Sequence, residues 1–519
     1  PSIAAHCGLR GFSTSKLEWG SAYGIPFKVG FWEGPDGTGI IAAADPGQYA
    51  YPIGEEDLAS DVKCRDRIAS TGKESGVYKD FKYFGLGDVG GAPDEASVIK
   101  LEAAIAKGGP LKVISTGADQ LCLDLTDEEA SRLPRWRNEL QLTEHGTGTF
   151  TSHSEMKRWN RLNENRGGEA ERAAVSAAWL GTAFYPEETL REAYIRFLAN
   201  QMHDILPGSS VPEAYRFAWN DEITSLNQFA GVLENSIGAL ARCLDTRAKG
   251  IPVVVNNPSG FDREEAVEAT VDFGKKAPKH IRVFGPDQEE VVSQVLESKG
   301  HSTTILFMAA VPATGQAVYD VRPADRNCRL RTGLKVEKDR LESGEYRVKI
   351  NKSGDIAAVY DKDLRRNILE KSLRLELLRT APAEWPAWTI VYRDVKRPPR
   401  AVVKGPARVR IIEKGPLRVS LEIRREFEGS VIVQTIRLTA GSKRVEIHNK
   451  LLWKTPGTML KAAFPLAASN KRAMYDIGAG VIERGNNKKK LYEVPALGWA
   501  SIDDKNRAFG VAVLSDSKH

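Results

Sequence analysis

A histidine followed by an aspartate is the most informative pair in the sequence. His203 and Asp204 follow an apolar-faced helical pattern over residues 186–202, and the run Pro-Gly-Ser-Ser at 207–210 ends that helix. Histidine is the commonest metal ligand, and a neighbouring carboxylate can hold a polar substrate beside the metal. One histidine cannot hold zinc alone, and no H-x-x-x-H companion lies nearby. Taken by itself, the pair could equally be a helix cap or a surface pair.

A tryptophan and an aspartate in residues 31–38 could bind a sugar. Trp32 is followed by the turn residues Asp36 and Gly37. The apolar face of a sugar ring can stack on an indole, and a carboxylate accepts hydrogen bonds from sugar hydroxyls. The same pattern is typical of an ordinary β-hairpin turn, so both interpretations stay open.

Two further loops carry carboxylates. Residues 85–93 are rich in glycine but lack the spacing of a nucleotide-binding loop, so we interpret them as a loop that presents Asp88. Residues 139–153 contain the pair Glu144 and His145. An isolated Glu-His pair is usually solvated, so only a wider pattern can give it a role.

The composition excludes several classes of protein. The 519 residues are 41% hydrophobic and 27% charged, with a net charge of +6. No apolar run is long enough to span a membrane, and no basic stripe extends beyond residues 488–490, so we expect neither a membrane span nor nucleic-acid binding. The five cysteines are widely spaced and form no C-x-x-C pair, which predicts reduced thiols and slightly favours the cytoplasm. The sequence leaves the oligomeric state open.

The elements that must position these loops change along the chain. Residues 1–120 alternate apolar runs with helical patterns, such as a helix over 95–107 and then a buried strand over 111–115, which is typical of an α/β region. Residues 121–248 are mostly helical, with helical patterns over 156–162, 168–180 and 186–198. Residues 249–519 contain many strand-like segments, such as 346–350, and no comparable long helix, which predicts antiparallel β-sandwich domains.

Taken together, the loops resemble those of the glycoside hydrolase family 38 α-mannosidases. The matching segments occur in family order along nearly the whole chain: residues 32–38, 87–93, 139–161, 200–209, 255–258, 460–465, 492–495, 499–500 and 516–519. The resemblance implies the remainder of a (β/α) catalytic barrel in 1–120, a three-helix bundle carrying His203 in 121–248, and an incomplete C-terminal β-sandwich region in 249–519. It also implies zinc-dependent, retaining hydrolysis of terminal α-mannosidic bonds in a mannose-containing oligosaccharide or glycan.

The resemblance assigns roles to single residues. It implies that His203 is a zinc ligand and that Asp204 contacts sugar hydroxyls, and we expect Asp36 and Asp88 to join Asp204 in binding the substrate. The general acid falls in residues 139–145, where the match needs a one-residue gap. We favour Glu144, with Glu139 as the alternative.

Part of the family's catalytic apparatus has no counterpart in this sequence. The family's earlier His-x-Asp pair and its nucleophilic aspartate, which are three of its four zinc ligands, would precede Pro1. We therefore expect an internal part of a longer enzyme, lacking the extreme C-terminus as well, and inactive on its own.

Two other functions agree with the same layout. A non-catalytic carbohydrate-binding protein would keep the pocket residues as relics, and would lack a His-x-Asp pair upstream. A polysaccharide lyase would combine helices with β-sandwiches without zinc, and the sequence from His203 to Ser209 argues against it.

Overall fold

The computed structural model describes residues 1–47, 52–54, 57–87, 91–274, 276–485 and 488–516. Along the chain, a small mixed sheet with helices is followed by three long helices and then by a succession of β-sheets. This mixed helical and multi-sheet architecture agrees with the change of hydrophobic period near residue 249. None of the described helices combines the length and apolar character that crossing a membrane requires.

The N-terminal region is built on one four-stranded mixed sheet. Its elements are α1 (Ser2–His6), β1 (Gly11–Ser13), β2 (Val29–Glu33), β3 (Gly39–Ala43), α2 (Val62–Ser75), α3 (Glu95–Lys107), α4 (Gln120–Leu123), α5 (Asp127–Arg132) and β4 (Arg135–Trp136). The strand order is β1-β3-β2-β4, with β2 and β3 antiparallel and the two outer strands parallel to their neighbours. Val29, Ile41 and Ala43 pack against Leu121 and Leu125 in the core of this region.

One predicted element is present and its neighbour is not. Helix α3 has the predicted bounds because Asp94 caps its first turn and Gly108 follows its last residue. The strand predicted over 111–115 is wrong: this segment has no strand partner among the described residues, and Ile114 is 54% exposed. A buried strand needs hydrogen-bonded neighbours, and an apolar run alone does not supply them.

Three long helices pack together in the middle of the chain. They are α6 (Ser154–Trp179), α7 (Glu187–Ala199) and α8 (Pro212–Ala241). Small residues of α6, such as Ala170 and Ala174, pack against Leu190 of α7 and Phe229 of α8. The loop with His203 and Asp204 joins α7 to α8, so the packing of these helices fixes where that loop lies.

The first part of the β region is a sandwich of two antiparallel sheets. Its strands are β5 (Ile251–Asn256), β6 (Arg263–Asp272), β7 (Ile281–Phe284), β8 (Glu290–Val291), β9 (Ser293–Lys299), β10 (Ser302–Val311) and β11 (Gln316–Pro323). Sheet β6-β10-β9 shares one core with sheet β5-β11-β7-β8, where Phe307 and Tyr319 are in contact.

The remaining strands form a second sandwich and two smaller sheets. They are β12 (Lys335–Glu337), β13 (Arg340–Glu342), β14 (Tyr346–Ile350), β15 (Ile356–Asp361), β16 (Arg366–Asn367), β17 (Arg374–Arg379), β18 (Ala401–Val402), β19 (Arg408–Lys414), β20 (Arg418–Phe427), β21 (Ser430–Thr439), β22 (Glu446–Leu452), β23 (Thr458–Ala463), β24 (Ala473–Asp476), β25 (Val481–Arg484), β26 (Trp499–Asp503) and β27 (Gly510–Leu514), with the short helix α9 (Tyr392–Lys396) between β17 and β18. Sheets β12–β16 and β19–β22 share a core of buried Leu, Ile and Val side chains. Helix α9 connects two strands of sheet β18-β17-β23, and Arg484 ends β25 in sheet β25-β24-β26-β27.

Candidate functional site

The loop between α7 and α8 holds Asp204 in a fixed position. The hydroxyl of Ser209 donates to the Asp204 carboxylate at 2.8 Å. The backbone carbonyl of Asp204 accepts from the amides of Ser209 and Ser210 at 3.0 and 2.9 Å, and from the Tyr215 hydroxyl at 3.1 Å. Because donors within eleven residues make all of these bonds, the loop has its own local support.

His203 lies on the outside of the same loop. Its side chain is 86% exposed, and its Nε2 atom lies 3.3 Å from a carboxylate oxygen of Asp204. The imidazole is therefore accessible to a ligand on most of its surface, while its neighbour is fixed. This arrangement suits a single metal ligand beside a carboxylate that binds hydroxyl groups.

A buried lysine connects this loop with residues 139–153. The side-chain ammonium of Lys157 donates to the carbonyl oxygens of Ser152, Leu206 and Pro207 at 2.6, 2.8 and 3.1 Å. Gly208 lies in the left-handed region with φ of 87°, and a Cβ atom there would clash with the carbonyl oxygen of Ser152. The two loops therefore touch through their backbones.

Glu144 is exposed and has an unusual backbone conformation. Its φ is 65°, in the left-handed region that non-glycine residues seldom adopt. Its backbone carbonyl accepts a hydrogen bond from the Thr147 hydroxyl at 2.6 Å. No hydrogen bond or ion pair to the Glu144 carboxylate occurs among the described residues, so that group is available to a ligand.

The alternative acid, Glu139, is in a very different environment. The guanidinium of Arg484 forms a bidentate ion pair with it, with an Nε–Oε2 distance of 2.7 Å. Arg484 is 1% exposed, and the hydroxyl of Tyr23 lies 3.5 Å from the same carboxylate. Burial, and secondarily the charge of Glu139, raise the pKa of Tyr23. Because both carboxylate oxygens of Glu139 contact Arg484, Glu144 is the better placed of the two to exchange a proton with a ligand.

Asp36 occupies the predicted hairpin turn between β2 and β3. Its carboxylate accepts from Ser2 at 2.5 Å, from the Thr38 hydroxyl at 2.8 Å, and lies 2.8 Å from the His6 ring. These bonds, that of Ser2 above all, hold the pKa of Asp36 well below its usual range. Asp88, the other predicted substrate-binding aspartate, lies outside the described residues.

Among the predicted site residues that the structure describes, His203 and Asp204 are the two that are in direct contact. Among the described residues, no hydrogen bond or ion pair links either of them to Asp36 or Glu144, so their convergence on one cleft stays a prediction. The described residues also contain no group of three or more His, Cys, Asp or Glu side chains that could hold a metal ion. An exposed imidazole is the kind of donor that zinc binds, and zinc binding by His203 stays a prediction.

Sequence reasoning gave no role to Lys157, Arg484 or Trp388. Trp388 packs parallel to His145, with ring centroids 6.4 Å apart. Lys157 falls within the matching segment 139–161, but no local signal in the sequence indicates its buried role. Nothing near Arg484 or Trp388 in the sequence indicates a partner more than 240 residues away.

Two parts of the chain match known protein families. Residues 144–240 match the model of the α-mannosidase middle domain, and residues 341–519 match that of the glycosyl hydrolases family 38 C-terminal domain. Alpha-mannosidase 2C1 of Mus musculus is 25% identical over 538 residues, covering 100% of this chain and 47% of the relative. Alpha-mannosidase G of Dictyostelium discoideum is 24% identical and is covered to 50%.

Solved structures give the same result for the fold. An α-mannosidase from Enterococcus faecalis V583 matches with a TM-score of 0.73 at 16% identity, over 95% of this chain and 64% of that one. The chain spans about half the length of the curated relatives it matches. Glu144 is the first residue of the matched middle domain, and the loop with His203 lies inside it.

Proposed function

We propose that this chain, which carries the middle and C-terminal domains of the glycoside hydrolase family 38 α-mannosidases, belongs to an enzyme that cleaves terminal α-mannosidic bonds with zinc and with retention of configuration. The observation that carries the proposal is the loop after α7. Within a matched α-mannosidase middle domain, it presents an exposed imidazole beside a carboxylate that its own loop holds in place. The substrate class is a mannose-containing oligosaccharide or glycan.

The finer architecture belongs to the same proposal. Residues 1–120 would be the last part of a (β/α) catalytic barrel, and α6, α7 and α8 would be the family's three-helix bundle. The parallel pairing of β1 with β3 and of β2 with β4, and the close packing of the three helices, support this assignment.

His203 would provide one nitrogen ligand for zinc, and no further ligand of that ion is assigned to this chain. When bound, zinc would hold two neighbouring mannose hydroxyls and favour distortion of the ring. Asp204 would accept hydrogen bonds from sugar hydroxyls, because Ser209 holds its carboxylate while leaving it 31% exposed. Asp36 and Asp88 are proposed to bind other hydroxyls.

Glu144 would be the general acid, and Glu139 would not. The exposed carboxyl group of Glu144 would donate a proton to the glycosidic oxygen as the bond to the leaving sugar breaks. In the second step of a retaining reaction, the same carboxylate would take a proton from the attacking water. The nucleophile of the first step is not assigned to this chain, so the chain alone is expected to be inactive.

The proposal can be tested on the full-length protein with His203→Ala, and with His301→Ala as the matched control. His301 is also an exposed histidine beside an aspartate, but it lies in the β region. We expect His203→Ala to remove both zinc, measured by metal analysis, and hydrolysis of α-mannosyl fluoride, while His301→Ala keeps both. Asp204→Asn should keep zinc and lose rate. Full activity of a zinc-free His203→Ala protein would contradict the mechanism.

A further inference from the structure

Four aromatic rings from three regions of the chain meet beside Glu144. His145 lies 5.1 Å from Trp19, edge to face, and 6.4 Å from Trp388, nearly parallel at 6°. Trp385 lies 6.0 Å from Trp388 at 85°. We call Trp19, His145, Trp385 and Trp388 the aromatic cluster. Its members come from the N-terminal region, the start of the middle domain and the loop before α9.

Backbone hydrogen bonds fix the aromatic cluster against the segment that carries Glu144. The carbonyl oxygen of Trp388 accepts from the amides of Gly146 and Gly148 at 2.8 and 2.9 Å. His145 pairs with Thr389 in an antiparallel bridge. A Cβ atom at Gly148 would lie 2.8 Å from the amide nitrogen of Thr389, so only glycine permits this approach. The loop with Trp388 is therefore bonded to residues that lie two and four positions after Glu144.

Trp385 is the member that folding explains least. Trp385 is 59% exposed, and its φ is 54°, in the left-handed region. A tryptophan in that conformation is strained, and strained residues are concentrated at ligand sites. The neighbouring acid candidate, Glu144, is also left-handed with φ of 65°. Both residues thus present their side chains from backbone conformations that favour other residue types.

The rings of the aromatic cluster themselves present an uncharged surface. Lys16 lies over the ring of Trp19, with its nitrogen 3.7 Å from the ring centroid. Burial, and then the charge of Lys16, lower the pKa of His145, so its ring is neutral at pH 7 and adds to the apolar surface. Trp385, at the other end of the cluster, is the most accessible aromatic surface. The C–H face of a hexose is an uncharged ligand that stacks on such rings.

We propose that the aromatic cluster binds the sugar that leaves, which is the second hexose of the α-mannoside. This inference rests on the proposed function, because it takes Glu144 as the group that protonates the glycosidic oxygen. A general acid must lie within hydrogen-bond reach of that oxygen, so the leaving sugar occupies the acid's side of the cleaved bond. The aromatic cluster is built on His145, the residue after Glu144, and on the loop bonded to residues 145–148, and Trp385 forms its accessible end.

The test compares Trp385→Ala with Trp179→Ala in the full-length protein. Trp179 is 88% exposed and ends α6, about 37 Å along the helix axis from Ser154 at 1.5 Å per residue. Binding of α-linked mannotriose and of methyl α-mannoside is measured by calorimetry in a Glu144→Gln background, in which loss of the general acid slows cleavage. Hydrolysis of mannotriose and of α-mannosyl fluoride, which has no second sugar, is measured as kcat/KM.

We expect Trp385→Ala to raise the Kd for mannotriose, and to lower the ratio of kcat/KM for mannotriose over mannosyl fluoride, by about tenfold each. Trp385→Phe should recover most of both, and Trp179→Ala should change neither. An unchanged Kd for mannotriose in Trp385→Ala, or equal losses on both substrates, would overturn the inference. If the wild-type protein hydrolyses neither substrate, the proposed function fails, while the Kd for mannotriose still decides whether the cluster binds sugar.

Discussion

The loop with His203 and the segment with Glu144 are held in opposite ways. Asp204 is fixed by Ser209, Ser210 and Tyr215, all within eleven residues of it. Residues 139–153 are held by partners from the far end of the chain, such as Ile390 and Arg484, at separations of 243 and 345 residues. The first loop is supported mainly by its own residues, with Lys157 of α6 as one further partner. The second also depends on contacts with the C-terminal β region.

The largest expected effect breaks the long-range side of this comparison. Arg484→Met leaves the carboxylate of Glu139, whose side chain is 17% exposed, without its cation, and should lower the free energy of unfolding by about 3 kcal/mol. The matched control is Arg472→Met, which removes an exposed ion pair with Glu483 at 3.2 Å and should cost less than about 1 kcal/mol. Urea unfolding followed by tryptophan fluorescence measures both.

A double variant sharpens the same point. Glu139→Gln combined with Arg484→Met removes both charges, so it should be more stable than Arg484→Met alone. If Arg484→Met is no more harmful than Arg472→Met, the ion pair does not hold residues 139–153.

The second effect concerns the helices under the local loop and depends on pH. Glu222 of α8 is 1% exposed and accepts from the Asn163 amide at 2.5 Å, and burial raises its pKa to about 7. The folded state therefore binds the proton of the Glu222 carboxyl group more tightly than the unfolded state does. The stabilisation that this protonation gives is complete below about pH 4.5 and is lost as the pH rises through 7. Glu222→Gln should therefore gain up to about 3 kcal/mol of stability at pH 8 relative to wild type.

Hydrogen exchange of amides in α6 and α8 between pH 5 and 8 measures this effect, after correction for the intrinsic exchange rate. The control is Glu234→Gln, an exposed glutamate of the same helix, which should leave the pH dependence unchanged. A wild-type profile as flat as that of Glu222→Gln would show that Glu222 is ionised in the folded protein without cost.

A third change separates the two loops from each other. Lys157→Met keeps the length of the side chain but removes the ammonium that contacts Ser152, Leu206 and Pro207. We expect a loss of about 2 kcal/mol, because three carbonyl groups lose a charged donor. Amides of residues 204–210 should exchange faster. Arg158→Met, which removes an exposed pair with Glu155 at 3.1 Å, should do neither.

The smallest effect tests the local support alone. Ser209→Ala removes one hydrogen bond to a partly exposed carboxylate and should cost about 1 kcal/mol. Ser210→Ala is the control, because Ser210 contributes its backbone amide to the described bonds. Faster exchange in residues 205–210 for Ser209→Ala only is the expected result, and equal exchange in both variants would contradict it.

Sequence reasoning succeeded where the signal was local. The bounds of α3 follow from Asp94 and Gly108, and β14 occupies the residues that its pattern predicts, 346–350. The helix over 187–199 was predicted with shifted ends, since apolar spacing marks a face and not a boundary. Helix α6 was predicted only in part, as separate helical patterns over 156–162 and 168–180, whereas the structure has one continuous helix over 154–179. The strand at 111–115 failed because an apolar run does not reveal whether a neighbouring strand exists.

The candidate site divides in the same way. The pair His203 and Asp204 was identified because both residues lie in one contiguous segment. The engagement of Glu139 by Arg484, and the contact of His145 with Trp388, join segments that no periodicity relates. Their residue types have no local requirement for each other, so only the folded chain shows which of two nearby glutamates is available.

The ion pair between Glu139 and Arg484 can form only after both residues have been synthesised. The two residues are 345 positions apart, and a ribosome adding roughly 5–20 residues per second needs roughly 17–70 s to cover that distance. During this interval the carboxylate of Glu139 lacks its cation, and the segment around Glu144 lacks its contacts with the C-terminal β region. The nascent chain can complete the helices around His203 long before it can complete the surroundings of Glu144.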